Sequence, residues 1–142
     1  PKGNHWIYKG IQGGNFMQTD SSVSGTVIPM LSLADLPACP VETTLTLISD
    51  KWKVLILRDL MPGTKRFGEL KKSIGHVSQK VLTSQLRQME ESGLLTRKVY
   101  AEVPPRVEYT LTGLGCSLKP IMDAMWTWGE QYQEQVRKCQ DA

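Results

Sequence analysis

Six residues between positions 78 and 87 carry the most specific chemistry in this sequence: Ser78, Gln79, Lys80, Thr83, Ser84 and Arg87. On a helix, spacings of one, three and four residues put them together on one side. A glutamine amide pairs with an adenine edge, and arginine or lysine donors pair with guanine, in a groove that admits a helix. The small hydroxyl side chains permit close approach and bond to phosphates or bases. Lys65, Arg66, Lys71 and Lys72 suit phosphate contacts. Arg106 lies farther along the chain and suits a minor-groove or backbone contact. A different chemistry belongs to Cys39, which directly precedes Pro40 at an expected helix start. The partial positive charge of a helix N-terminus stabilises a thiolate, the form that reacts with oxidants and electrophiles. The competing reading is a buried, inert thiol.

Catalytic and metal chemistry find no foothold. The two histidines, His5 and His76, and the three cysteines, Cys39, Cys116 and Cys139, form no CxxC or HxxxH pair. The cysteines are also too few, too scattered and odd in number for a disulfide scaffold. Glu108 and Tyr109 have no second carboxylate or nucleophile at a motif spacing, and no nucleotide-binding loop is present. The expectation is a non-enzyme with no cofactor and no metal.

A chain of 142 residues with 40% hydrophobic and 22% charged side chains suits one soluble domain with its own core. No apolar run approaches the roughly 18 residues of a membrane span, and the expected location is the cytoplasm. The net charge of +3 is unevenly distributed. Between Lys51 and Arg106 lie twelve basic and five acidic residues, a local +7 that leaves −4 for the rest. Such a basic centre points to a localised anionic partner, although solvated helix faces give the same count.

Residues 1–30 sustain no helical or strand period and read as a leader or arm, disordered or packed on a dimer. Residues 31–142 read as the folded domain. Pro40 suits a helix start, with Val41, Leu45 and Ile48 at helical spacing. Asp50 caps a second helix whose buried stripe is Trp52, Leu55, Ile56 and Leu60, and Pro62-Gly63 ends it. Thr64 to Arg66 forms a basic link. Phe67, Leu70 and Ile74 mark a short third helix that stops at Gly75. Ser78 then caps a fourth, with Leu82, Leu86 and Met89 on its inner stripe and Gly93 as its stop. His76 reads as a turn residue between them. Two strand-like runs follow, Thr96 to Val103 and Val107 to Leu111, joined at Pro104-Pro105-Arg106 as a hairpin with a basic tip. Pro120 either starts or kinks the last helix. Its apolar residues Leu114, Leu118, Ile121, Met125, Trp128, Tyr132 and Val136 recur every three or four positions, a step that suits a dimer seam.

The order is four helices, a hairpin and a terminal helix: a mostly α fold with a small β-hairpin wing, a winged helix-turn-helix. Residues 39–136 also resemble the HxlR-type transcription regulators, near the MarR group. The resemblance runs through Cys39-Pro40-Val41, Lys51-Trp52, Leu55-Ile56-Leu57 and Arg66-Phe67-Glu69-Leu70. It continues through Ser78-Gln79-Lys80-Val81-Leu82-Thr83, Leu86-Arg87, Glu90 and Gly93-Leu94. The remaining matches are Pro104-Pro105-Arg106-Val107-Glu108-Tyr109, Leu111-Thr112, Gly115 and Trp128-Gly129. The resemblance implies a homodimer joined through its terminal helices, with Leu118, Ile121, Met125, Trp128 and Tyr132 at the seam. It implies binding to a pseudo-palindromic operator in double-stranded DNA and control of neighbouring genes, read here as repression. It also implies an oxidant or small-molecule effector acting at Cys39, with a disulfide to Cys116 or Cys139 across the dimer as a further expectation. The rival from another class is a winged helix that binds proteins rather than DNA; an exposed apolar patch on the 79–87 face would favour it.

Overall fold

Asp50 opens the helix around which the domain is assembled. Its carboxylate accepts a hydrogen bond from the Lys53 backbone N–H at 2.9 Å, filling a donor that the first turn leaves open. The structure, a computed structural model, describes residues 35–142. The leader expected over residues 1–30 lies outside them. Helix α1 spans Pro40–Ile48, with Pro40 at its start, and α2 spans Lys51–Leu60. Ile56, Leu57 and Leu60 carry the buried side of α2. Trp52 and Leu55, expected inside, are half-buried at its flank. Leu57, outside the expected stripe, is fully buried because α2 packs against the helix before it and against helices and a strand that follow.

After α2 the chain makes a two-residue strand, β1 at Lys65–Arg66. Helix α3 follows at Phe67–Ile74 and α4 at Gln79–Glu91. Strands β2 at Leu95–Tyr100 and β3 at Arg106–Leu111 form the wing. The short α5, Gly113–Cys116, and the 22-residue α6, Lys119–Gln140, complete the chain. Pro120 therefore starts the last helix instead of kinking one.

The sheet corrects the expected two-stranded hairpin. It has three antiparallel strands in the order β1-β3-β2, with Lys65 opposite Tyr109 and Arg66 opposite Glu108. The basic link is thus an edge strand. The first wing strand also ends at Tyr100, not Val103, because residues 101–105 leave the ladder to make the connection.

Two turns need glycine. Gly75 at φ 89° and Gly93 at φ 78° close α3 and α4 in a region that side-chain-bearing residues avoid. The core lies beneath them. Leu70 and Ile74 of α3, Leu82, Leu86 and Met89 of α4, and Leu94, Leu95 and Tyr109 of the sheet close over α2. Leu118, expected at a subunit seam, is buried in this same core. It stands one residue before α6, where the chain still touches the domain body. Beyond Met122, which packs partly on the core, α6 buries none of its own residues.

Candidate nucleic-acid interface

Helix α4 is held in place from both ends and from behind. Ser78 accepts a hydrogen bond from the Val81 N–H at 3.2 Å, the cap expected of it. Leu82, Leu86 and Met89 anchor the inner stripe at essentially zero exposure. Behind the helix, Lys53 is only 8% exposed, and its ammonium reaches Gln88 Oε1 at 2.9 Å and Asp50 Oδ2 at 3.2 Å. Burial pushes the Asp50 carboxyl up, but the Lys53 backbone and side-chain hydrogen bonds, its charge and the Gln85 amide hold it below its ordinary value. The Lys53–Gln88 hydrogen bond ties α4 to the helix that organises the core.

Helix α3 is tied down in a similar way. Asp59 of α2 accepts from the Ser73 hydroxyl at 2.5 Å and from Arg58 Nε at 2.7 Å. Burial raises the Asp59 carboxyl, and the bonds from Arg58 and Ser73 with the charges of Arg58 and Lys65 outweigh it and lower the pKa. Both helices of the helix-turn-helix are thereby fixed to α2. His76, in the turn between them, lies with its ring 5.2 Å from Trp52.

What this scaffold presents outward is polar and basic. Ser78, Gln79, Lys80, Thr83, Ser84 and Arg87 are all exposed, as their spacing requires. Gln79, Thr83 and Arg87 line a cleft of about 350 Å³ between α4 and the sheet, with Phe67, Val107 and Tyr109 as its apolar wall. Arg97 of β2 lines the same cleft. It is absent from the residues singled out by sequence, because only strand pairing brings it there: Arg97 stands opposite Tyr109. The alternation of β2 puts it on the side facing α4, which is the signal that locates it. Glu90 offsets part of this charge.

The other expected contacts are dispersed. Arg66 precedes α3 and makes a loose 3.8 Å ion pair with Glu69. Lys65 and Lys71 are half-buried, and neither lines the α4 cleft. Arg106 is not a free cation at the wing tip. Its guanidinium sits 3.9 Å over the Tyr100 ring, within 3.4 Å of Glu102 and 3.3 Å of Glu108.

Away from this face, α6 displays Ile121, Met125, Trp128 and Tyr132 to solvent in the single chain, with Trp128 62% and Tyr132 58% exposed. The last two rings stack at 5.4 Å. Cys39 is exposed, in extended backbone immediately before α1. That removes the reading of a buried thiol. All three cysteines are unbridged in this single chain. Among the described residues, no group of three or more histidine, cysteine or acidic side chains could hold a metal ion. No helix among them is long and apolar enough to cross a membrane.

Helices α1 and α2, the α3–α4 pair and a three-stranded sheet whose β2–β3 hairpin is the wing make a winged helix-turn-helix, and comparison with known proteins agrees. The HxlR-like helix-turn-helix family matches residues 47–137. YdeP of Bacillus subtilis (strain 168), described as an uncharacterized HTH-type transcriptional regulator, is 45% identical over 108 residues, 76% of this chain and 84% of that protein. The redox regulator HypR in its reduced form is 41% identical with a TM-score of 0.66, over 70% of this chain and 99% of that one. The transcriptional regulator YodB of B. subtilis, also reduced, is 36% identical with a TM-score of 0.59, over 68% of this chain and 95% of that one. These relatives are transcriptional regulators and not enzymes. With its helix-turn-helix, its wing and a family match across most of the described residues, this chain belongs to the HxlR-like helix-turn-helix family of transcriptional regulators.

Proposed function

We propose that this protein is a cytoplasmic, sequence-specific regulator of transcription that binds double-stranded DNA as a homodimer and represses by occupying a pseudo-palindromic operator. The observation that carries this reading is the outward face of α4. Six polar or basic side chains stand exposed on a helix whose opposite face is locked into the core. A helix of about 10–12 Å diameter fits the major groove, and residues near its N-terminus reach base edges there. The same face argues against a protein-binding winged helix, which would show apolar surface at this position. The apolar surface lies instead on α6, where Ile121, Met125, Trp128 and Tyr132 supply the seam for a second copy. A two-fold dimer repeats α4 with the symmetry of a palindromic operator.

The test is operator footprinting followed by substitution of Arg87. Arg87→Ala is expected to lower affinity for the operator by on the order of 1–3 kcal/mol while barely changing affinity for random duplex. Equal losses on both would remove α4 from sequence reading.

Control by oxidants or electrophiles at Cys39 is the second part of the proposal. The thiol is exposed at a helix start, where the helix field favours thiolate. A structural relative, HypR, is a redox regulator with both oxidised and reduced forms solved. Diamide is expected to change operator binding of the parent protein and to leave Cys39→Ser unaffected. An unchanged response in the serine variant would place the sensor elsewhere.

A further inference from the structure

The arginine of the wing is already occupied. Arg106 begins β3 opposite Tyr100, and its side chain is 26% exposed. Its guanidinium lies over the Tyr100 ring, with Glu102 on the loop side and Glu108 on the strand side. Lys98 approaches the same ring, its ammonium 4.8 Å from the centroid. One arginine and one lysine thus share the Tyr100 ring, and two carboxylates flank the arginine. Arg106 therefore enters the encounter with an anion already paired.

The two carboxylates do not play equal parts. Glu108 is a strand residue in the three-stranded ladder, opposite both Arg66 and Lys98. Its side chain is only 23% exposed. Glu102 sits in the connecting loop, 51% exposed, with its N–H bonded back to the Tyr100 carbonyl at 2.9 Å. The arginine is also imperfectly satisfied. Its Nε is buried, and the Glu108 oxygen at 3.3 Å is too poorly aligned to accept a hydrogen bond from it. A phosphate offers what this arrangement lacks, two oxygens matched to the guanidinium fork.

We propose that Glu102 masks Arg106: it holds the wing arginine in an intramolecular pair that a DNA phosphate must displace, and so it lowers affinity for the duplex backbone whatever its sequence. This rests on the DNA-binding reading above. The arginine reaches phosphate by exchanging one anion for another, and Glu102, the exposed partner, is the one released. Tyr100 and Glu108 remain as the seat on which the side chain turns.

Glu102→Gln removes the competing charge and leaves Glu108, Tyr100 and the strand register in place. Affinity for random-sequence duplex, read by fluorescence anisotropy at fixed salt, is expected to tighten about two- to fivefold, the range of an exposed ion pair. The glutamate's own repulsion of DNA is separated by repeating the substitution in an Arg106→Gln background. Masking predicts that the gain disappears there; simple repulsion predicts that it persists. An equal gain in both backgrounds, or none in either, overturns the proposal. Thermal unfolding of each variant, unchanged from its own background, keeps a folding defect from imitating either result. If the parent protein itself binds no duplex in a salt-dependent way, the DNA-binding reading fails with it, an outcome distinct from a parent that binds and a cycle that closes to zero.

Discussion

Gly115 is the position where the smallest substitution should do the most damage. It lies in α5, against the turn that leads out of α4. A Cβ added there falls on the Leu94 carbonyl oxygen, far inside the 3.0 Å that real Cβ atoms keep, and within 3.2 Å of Leu111 Cδ2. The obstacle is backbone, so no rotamer change relieves it. Helix α5 must move outward, and the bonds that hold its N-terminus to the turn after α4 go with it. Thr112 donates from its N–H to Leu94 O at 3.0 Å and from its hydroxyl to Gly93 O at 2.6 Å. Each such bond contributes about 1 kcal/mol, and overpacking costs about 1–3 kcal/mol more. Gly115→Ala is therefore expected to destabilise by roughly 3–5 kcal/mol, a large part of the about 5–15 kcal/mol typical of a domain. At this size the melting temperature should fall by roughly 10–25 °C. The assay is thermal unfolding by circular dichroism at one chain concentration, because association shifts an apparent midpoint. Gly113→Ala is the control. It stands in the same short helix with nothing within 4 Å of its added Cβ, and it should not lower the midpoint. If Gly115→Ala melts with the Gly113→Ala control, the close approach of α5 to Leu94 does not govern stability.

The ties from α2 to α3 and α4 set two further outcomes. Lys53→Met keeps the aliphatic stem but strips Gln88 of its donor and Asp50 of its counter-ion. Loss of a charged hydrogen bond predicts about 2 kcal/mol of destabilisation, and faster amide exchange in α4 than in α1; a uniform change would show that Lys53 does not act on α4. Asp50 and Asp59 both have lowered pKa values in the folded chain, so their contribution is complete above the ordinary value of 3.8 and is lost as pH falls through the folded values. The midpoint should hold steady from neutral pH to about 4.5 and fall below it, with Asp59→Asn flattening that fall; an unaltered acid limb in this variant would assign it to other groups.

Much of this architecture could be read without coordinates because its signals are local. Asp50 and Ser78 announce helix starts through side chains that bond their own first turn. Gly75 and Gly93 announce the stops through backbone angles that other residues avoid. The exposed face of α4 follows from the 3.6-residue period alone, once Leu82, Leu86 and Met89 are seen as its inner stripe. The resemblance across Cys39 to Val136 identified the family, which the comparisons then bore out.

The misses share a different cause. Strand β1 is two residues long, too short for any alternation, and exists only because β3 offers it an edge. Leu118 lies on the same apolar repeat as Ile121 and Met125, and periodicity cannot say which members of a stripe meet their own domain. Arg97 joins Gln79 and Arg87 through a strand register, and Arg106 is paired off by Glu102 and Glu108 in the fold of the wing. Sequence by itself determined the helices, their caps and the polar, basic character of α4's outer face, since these depend on neighbours within a few positions. Tertiary structure alone decided which cations stand free, which face of α2 is buried and where α6 leaves the core, because those depend on groups that the chain brings together from a distance.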